Sequence, residues 1–330
     1  MSSNNPIIFT SILDNIKQGE KVGTNLTESN RGLWAGLVIL GDAPISPKTG
    51  TTDRIEGIPA SVAEGVYGGS NSADNSGVLK YVSVRHAGVE LVPGGGNEIN
   101  GITLGGVGSG TTIEHVEVIA NLDDGIEWFG GTVNVSHALV AYQGDDAFDI
   151  DQAYSGIINN FIYIAGADSD HGLEIDGPEG SENAGGKFTL QNGSLKGNPV
   201  QSEFADFRSN AQGTVDNLYF FGFNSSADVE IDDDKTSANY VSDALVLTNL
   251  KFNSTAWTLN EDGEPDGGTT TWALVTDIFA DKAPAGDAAA ADTKFAANGN
   301  ALVTAKTGGA NKSEFTGWSL ADAKGLLSDF

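Results

Sequence analysis

The feature of this sequence that most constrains its fold is a repeat of short strand-like segments across residues 77–255. Each repeat carries a segment in which apolar residues alternate with polar ones, and successive segments recur at roughly 22 to 34 residues, a period typical of solenoid proteins. These first segments begin at Leu79, Ile113, Val135, Ile158, Leu190, Val215 and Leu247.

A second strand-like segment follows each of the early first segments. Because alternate residues of a strand point to opposite faces, we expect its first and third residues to fill the interior and its second and fourth to face solvent. A β-sandwich would show antiparallel hairpin signals, whereas two strand types in a fixed order favour parallel stacking of coils. The second segments begin at Ile102, Ile126, Phe148, Leu173, Ala205 and Val229.

The domain organisation follows from this all-β solenoid. Each coil packs only on its neighbours, so 330 residues can form one domain. We predict a parallel β-helix over residues 1–258, and loop-rich coils with a cap of the same domain over 259–330. Residues 259–312 are rich in Ala, Gly and Asp and predict loops. Ser319–Asp322 resembles a capping box, which predicts a short helix or final coil closing the open end of the solenoid.

The charge balance restricts the partners. Lys and Arg number 17 against 45 Asp and Glu, a formal net charge of -28 that repels nucleic acid and anionic membranes. Such acidity favours divalent cations or neutral ligands, although a generally solvated acidic surface is the alternative. The absence of cysteine excludes thiolate metal sites and cysteine nucleophiles. The longest apolar run, Leu33 to Leu40, is too short to cross a bilayer, so no transmembrane segment is expected.

Stacking of the second segments in register would place carboxylates in columns on the outer face. Neighbouring strands lie about 4.8 Å apart, and like charges at that spacing raise one another's pKa unless a cation intervenes. The inner column comprises Thr103, Glu127, Asp149, Glu174, Asp206 and Glu230, and the outer column comprises Gly105, Phe129, Asp151, Asp176, Arg208 and Asp232.

The turns before these segments add further aspartates at equivalent places in three coils. Clustered oxygen ligands suit a hard cation, calcium foremost, because calcium accepts several carboxylates in flexible geometry. The alternative is that turn aspartates only accept hydrogen bonds from backbone amides. The predicted calcium ligands are Asp123, Asp124, Asp145, Asp146, Asp149, Asp151, Glu174 and Asp176.

Several other side chains have predicted roles. Phe129 is expected to face solvent and stack on a sugar ring, and Trp128 is expected to lie in the core. His115 and His137 occupy the same place in neighbouring segments, but two histidines without a third ligand make a poor zinc site, so we interpret them as structural. The other predicted ligand-binding residues beside Phe129 are Glu127, Asp206 and Arg208.

Residues 77–255, with their outward aspartate pairs, resemble the pectin-lyase-like superfamily of right-handed β-helices, which includes pectate lyases and polygalacturonases. The resemblance implies a single-stranded right-handed parallel β-helix, here with a small C-terminal cap. Residues 121–125, 144–146 and 170–172 resemble the polygalacturonase blocks Asn-x-Asp-Gly, Gly-Asp-Asp and Gly-His-Gly, with an extra Asp in the first block and Asp170 in place of glycine.

The local likeness implies inverting hydrolysis by paired carboxylic acids. Asp124, Asp145 and Asp146 would supply the acid and position the water, and His171 would tune the protonation of the acid. The Arg-x-Lys motif with which polygalacturonases bind a uronate is absent, and Arg208 is the cation near the expected place.

The whole chain resembles, more closely, a group of little-characterised bacterial exported β-helix proteins, often lipoproteins. The blocks that carry this resemblance span residues 31–41, 97–110 and 123–131. It implies an extracellular or outer-surface location, although the signal segment and lipobox cysteine typical of that group are missing from this sequence.

Three functional hypotheses follow. The first is an exported or cell-surface protein that binds a polysaccharide or cell-surface glycan, with calcium in the acidic patch. The second is a glycoside hydrolase or polysaccharide lyase acting in the same patch. The third is an adhesin or self-assembling surface fibre, in which the exposed strand edges at the solenoid ends associate end to end.

Overall fold

The computed structural model describes residues 5–91, 99–200, 202–224, 226–255, 278–281 and 288–330. Residues 97 and 98 of one resembling block, and 259–277 and 282–287 of the predicted loop stretch, lie outside these ranges. The described helices are α1 (Asp234–Val241), α2 (Ala288–Ala297) and α3 (Leu320–Ala323), with 3-10 helices at Ala63–Gly65 and Lys312–Phe315.

Most described elements are short strands that belong to two long sheets. The strands are β1 (Ile7–Phe9), β2 (Leu37–Leu40), β3 (Asp53–Arg54), β4 (Val66–Tyr67), β5 (Val78–Arg85), β6 (Ile102–Gly105), β7 (Thr112–Ile119), β8 (Ile126–Phe129), β9 (Val135–Ala141), β10 (Phe148–Asp151), β11 (Ile157–Ile164), β12 (His171–Asp176), β13 (Phe188–Lys196), β14 (Glu203–Arg208), β15 (Gly213–Phe221), β16 (Val229–Ile231), β17 (Leu245–Thr248), β18 (Lys251–Asn253), β19 (Phe279–Asp281) and β20 (Ala301–Val303).

The chain alternates between the two sheets as it winds. The first sheet has the order β1-β5-β7-β9-β11-β13-β15-β18-β20, with β17 also on β15, and the second has the order β19-β16-β14-β12-β10-β8-β6-β2. Every strand pair within them is parallel, as between β7 and β9 or between β8 and β10. This arrangement confirms the predicted all-β right-handed parallel β-helix.

The predicted register is confirmed in both sheets. Ile113 pairs with Leu79 on one side and with Val135 on the other, and Phe148 pairs with Ile126 and Leu173 in the same way. Residues at equivalent positions of successive coils are therefore direct neighbours.

The interior is a continuous file of the inward-facing residues. Trp128, predicted to be core, is fully buried beside Phe148 and Tyr154, with ring centroids 6.4 and 5.8 Å away. Further along, Phe204 packs against Phe220 at 5.1 Å. Because each coil buries its apolar side chains against the next coil, the core extends along the solenoid.

Seven coils of the first sheet have a residue in the left-handed region at the same position of the strand segment. The bend lies two residues after the start of each predicted first segment, at Tyr81, His115, His137, Asn160, Asn192, Asn217 and Asn249, with φ between 54° and 60°. Asparagine tolerates this conformation better than most residues. The stacked amides also bond to one another, as Asn217 Nδ2 donates to Asn192 Oδ1 at 2.6 Å.

The C-terminal part differs from the prediction. Strands β19 and β20 extend the two sheets, and α2 lies between them, so the prediction of loops is wrong at Phe279–Asp281, Ala288–Ala297 and Ala301–Val303. Alanine has the highest helix propensity, and the run of alanines at 288–291 accounts for α2.

The predicted short helix near Ser319 is α3, whose N-cap is the Ser319 side chain accepting from Asp322 N. We call residues 312–330, which contain it, the C-terminal segment. The segment lies along the outer flank of the first sheet instead of closing the end of the solenoid. Trp318, Leu320 and Phe330 join one buried cluster with the outward-facing Ile119, Leu139 and Ile162. Those apolar outward residues supply the surface on which the segment packs.

A loop between two coils covers part of the second sheet. The antiparallel pair of β3 and β4 belongs to a loop between β2 and β5, and it packs Ile55 and Tyr67 over Phe129 of β8. Among the described residues, no helix combines the length and apolar character needed to span a bilayer.

Candidate functional site

The outer face of the second sheet carries the predicted inner column of carboxylates. Asp149 pairs with Glu127 on one side and with Glu174 on the other, and the column continues through Asp206 to Glu230. The parallel register therefore aligns acids that are more than 20 residues apart in the chain. This confirms the predicted stacking, on which every hypothesis about the site depends.

Part of this column lines a cavity of about 270 Å³, which we call the acidic pocket. Its walls come from strands β6, β8, β10 and β12, from the turns that precede them, and from the loop that carries Ile55. The residues that line it are Ile55, Glu56, Ile99, Asn100, Thr103, Asp123, Asp124, Glu127, Phe129, Asp145, Asp146, Asp149, Asp151 and Glu174.

Three carboxylates at the base of the acidic pocket are buried together. Asp124, Glu127 and Asp149 are only 8%, 7% and 9% exposed, and one oxygen of each lies within 4.8 Å of the others. Burial, followed by repulsion from neighbouring carboxylates, raises the pKa of all three well above the usual range. Three buried acids at this spacing need protons or a cation to offset their charge.

The pocket also contains oxygens that have no partner within the described part of the chain. Among the described residues, Asn100 Oδ1, Thr103 Oγ1 and Asp149 Oδ1 are buried and accept no hydrogen bond. Buried polar atoms are normally satisfied, so such atoms are expected where a ligand or water binds. The amide nitrogen of Asn100 donates to Glu127, which fixes the orientation of both side chains.

Next to this triad, Asp146, His171 and Glu174 form a second group. His171 Nδ1 lies 3.0 Å from Asp146 Oδ1 and 3.9 Å from Glu174 Oε2. Burial opposes the charged ring, but Asp146 outweighs it and raises the pKa of His171 to about 9. Burial also raises the pKa of Glu174 to about 9, whereas the hydrogen bond from His171 overcomes burial and lowers the pKa of Asp146.

The turn aspartates have a structural role as well. Asp124 Oδ1 accepts from the backbone N–H of Asp146 at 3.0 Å, and Asp146 Oδ1 accepts from that of His171 at 2.7 Å. Each aspartate thus ties its turn to the next coil, in line with the alternative that such residues bond backbone amides. Each carboxylate also has a second oxygen for other contacts.

Arg208 is surrounded by acids. Its Nε donates to Asp176 at 2.7 Å, its NH1 lies 3.4 Å from Asp206, and its NH2 contacts Glu174. Burial disfavours its charge, but these carboxylates raise the pKa of Arg208 further. The cation predicted to bind a ligand is therefore already engaged with carboxylates of the inner and outer columns.

A larger cavity of about 1330 Å³ continues from this arginine, and we call it the outer groove. It also contains Asp176, which does not line the acidic pocket, whereas Asp151 lines both cavities. Burial and the nearby Asp176 raise the pKa of Asp151 to about 8. Lys48 and Lys235 give the groove basic groups beside the acids.

The predicted solvent exposure of Phe129 is wrong. The side chain is 8% exposed because Tyr67 and Ile55 cover it, with ring centroids of Tyr67 and Phe129 5.8 Å apart. Its outward position in the strand was predicted correctly, but the covering loop comes from about 70 residues earlier and carries no repeat signal. The face on which a sugar was expected to stack is therefore occupied.

The structure brings together most of the predicted site. Asp123, Asp124 and Asp145 have oxygens within 4.8 Å of one another, and Asp146 and Glu174 form the group with His171. The four residues predicted to be catalytic thus line or adjoin one pocket. Glu127 was predicted to bind ligand but not metal, and its place in the triad was already visible in the inner column. Asn100 lies just before the second segment that begins at Ile102, outside the alternating pattern, so it was not predicted as a site residue.

Comparison with known proteins is consistent with this geometry. A family model described as "Pectate-lyase like beta helix domain" matches residues 2–319. No curated protein and no solved structure matched the chain.

Proposed function

The chain belongs to the family of pectate-lyase-like β-helix domains, and from that premise we propose that it binds an extracellular polysaccharide through calcium held in the acidic pocket. Family membership indicates a carbohydrate-related function. The observation that carries the calcium proposal is the buried triad of Asp124, Glu127 and Asp149, whose oxygens lie within 4.8 Å of one another. A cation at their centre would offset charges that burial otherwise makes unfavourable.

Calcium suits this triad better than other common ions. It takes about six to eight oxygen ligands, from carboxylates, carbonyls and hydroxyls, and tolerates irregular geometry. Beside the carboxylates, the pocket offers the oxygens of Asn100 and Thr103, which lack a partner among the described residues, as uncharged metal ligands. Ligand positions left open by the protein would be filled by water or by hydroxyl and carboxylate oxygens of a sugar.

The outer groove supports the polysaccharide part of the proposal. At about 1330 Å³ it is larger than the acidic pocket, and it adjoins the pocket at Asp151. Its lining includes Asp176, Arg208 and Lys235, so it presents hydrogen-bond acceptors and donors, which sugar hydroxyls require. A chain of sugars lying in the groove would place one unit next to the ion.

The experiment that tests this function measures calcium and polysaccharide binding together. Isothermal titration calorimetry on EDTA-treated protein should show calcium binding, and calcium should increase retention of the protein on polysaccharides. A variant carrying Glu127→Gln and Asp149→Asn should lose both effects while keeping its far-ultraviolet circular dichroism. Glu182→Gln, which removes an exposed acid away from the pocket, is the matched control. Unchanged calcium affinity in the double variant would contradict the proposal.

Glycoside hydrolysis is a second candidate, favoured by the group of Asp146, His171 and Glu174. A pKa of about 9 keeps Glu174 protonated at neutral pH, as a general acid must be. In contrast, the nearest oxygens of Asp124 and Asp145 lie within 4.8 Å, closer than the roughly 6.5–9.5 Å between the carboxyl groups of inverting hydrolases. Reducing-end release from a polysaccharide panel that disappears with Glu174→Gln would support hydrolysis, and no release from any substrate would reject it.

A further inference from the structure

On the opposite flank, the first sheet presents two histidines beside a glutamate from a distant part of the chain. His115 of β7 and His137 of β9 lie at equivalent positions of adjacent coils, with ring centroids 4.4 Å apart. Both have left-handed backbones, with φ of 55° and 59°. Glu314 comes from the C-terminal segment, and its Oε2 lies 3.4 Å from His115 Nε2.

From this juxtaposition we propose that His115, His137 and Glu314 bind a divalent transition metal of the zinc type. One nitrogen of each ring and one oxygen of Glu314 lie within 4.8 Å of one another. Two imidazoles and a carboxylate suit zinc, cobalt or nickel, whereas calcium prefers ligands that are all oxygen. Sequence analysis indicated no third ligand for the two histidines, and the C-terminal segment supplies it.

The surroundings of the rings favour ligation. His115 is 8% exposed, and its Nδ1 is buried without a partner among the described residues. Burial is also the main cause that lowers the pKa of both histidines. Tyr81 stacks on His115 at 4.5 Å, and Trp318 lies edge-on at 6.0 Å, which limits access of water.

The segment that carries Glu314 is held in place next to His137. Asn311 N donates to Asn160 Oδ1 at 2.6 Å, and the amide nitrogen of Asn160 lies 2.8 Å from His137 Nδ1. Because Asn160 contacts Nδ1 of His137, the other ring nitrogen, Nε2, is the atom that would bind an ion. Ligation through Nε2 puts the ring proton on Nδ1, where an acceptor suits it better than the Asn160 amide nitrogen. Asn160→Asp would provide that acceptor.

Cobalt titration with excess calcium present tests the site. Excess calcium is included to fill the acidic pocket proposed above, and Co²⁺ bound by two imidazoles and a carboxylate gives visible d–d absorption. We expect one equivalent of cobalt to produce this absorption and excess zinc to remove it. Absence of a calcium-insensitive visible spectrum would overturn the proposal.

The backbone offers an unusually conservative variant for the same test. Asparagine occupies the equivalent left-handed position at Asn160 and Asn192, so His115→Asn with His137→Asn should preserve the fold while abolishing the cobalt spectrum. His86→Asn is the matched control, because His86 is also left-handed at φ 60° but contacts Asn30 instead of the site. A spectrum unchanged in the double variant would overturn the assignment.

A gain in affinity separates ligation from a structural role. Asn160→Asp should tighten cobalt binding about tenfold, the size of effect typical of groups that orient a metal ligand. Asn192→Asp adds the same charge further along the ladder and should change the affinity far less. Equal affinities in the two aspartate variants would contradict ligation by His137.

Discussion

Single residues in this protein combine deep burial with ionisable groups to an unusual degree. Asp151, His171 and Glu174 have pKa values of about 8, 9 and 9, each far from the value of the free side chain. All three shifts are upward, so the folded protein holds protons that the unfolded chain releases. The pH dependence of the free energy of unfolding should therefore show whether these groups hold protons.

We predict that the metal-free protein becomes less stable as the pH rises from about 5.5 to about 9. The carboxyl groups of Asp151 and Glu174 bind protons more tightly when folded, so ionising them destabilises the fold. His171 adds the same sign, because the stability from its raised pKa is present below about 6.5 and is lost by about 9. Melting temperatures in EDTA across this range measure the effect.

Calcium provides the control for this pH dependence. If an ion replaces the protons in the acidic pocket, saturating calcium should flatten the decline and raise the melting temperature most at high pH. A metal-free melting temperature that rises across the same range would contradict the prediction.

The left-handed bends give a second prediction for single residues. Asn192 has φ 60°, donates to Asn159 at 2.7 Å and accepts from Asn217 at 2.6 Å. Asn192→Val should cost about 2–4 kcal/mol, since a β-branched residue is strained there and two hydrogen bonds are lost. Asn192→Gly removes the bonds without the strain and should cost less, as measured by urea unfolding. Equal losses would argue against strain at this position.

Among the structural elements, the C-terminal segment depends on an ion pair that the sequence did not indicate. Glu117 of β7 and Arg85 of β5 are 0% and 1% exposed, with 3.7 Å between their charged groups. Glu117 also accepts from the backbone N–H of Leu320 at 2.6 Å, at the start of α3. The pair thus links two coils to the segment that covers them.

We predict that Glu117→Ala destabilises the protein by about 3–5 kcal/mol, because Arg85 would remain buried without its carboxylate. Limited proteolysis should then cut within residues 312–330 more readily, since Leu320 loses its acceptor. Glu114→Gln, in the same strand but in the exposed pair with Lys80, should have little effect. Equal protease sensitivity of the two variants would contradict this role of Glu117.

These elements also show how far the sequence was informative. The strands with alternating residues, such as Glu127 to Phe129, were predictable in both register and face, because period two is a local signal. The partners that cover the sheets were not predictable. Tyr67 over Phe129, and Trp318 over the flank of β7, are contacts between segments with no common pattern. The sequence therefore predicted the column of acids, but it did not predict that a loop covers the column to form the acidic pocket.

On the scale of the whole molecule, a net charge of -28 acts against close association of copies. Strand β1 ends the first sheet and β2 ends the second, so both present an edge at the same end of the described solenoid. Such edges can pair with another chain once repulsion is screened. End-to-end association is therefore a proposal that depends on ionic strength.

We predict that sedimentation velocity shows a monomer at about 20 mM salt and larger species at about 500 mM, where the Debye length is only a few ångströms. Ile8→Pro in β1 should suppress the larger species, because it removes a backbone donor from the edge strand. A single monomeric boundary at every salt concentration would reject assembly through these edges.

The position of the C-terminal segment also has a mechanical consequence. In a plain solenoid, tension on one terminus would peel the coils away one after another. Here Phe330 and Trp318 are packed against strands from the middle of the coil stack, and Lys196 pairs with Asp329 at 2.5 Å. A pulling force applied at that terminus would be shared as shear across several coils, so the molecule should resist stretching better than its repeat architecture alone suggests.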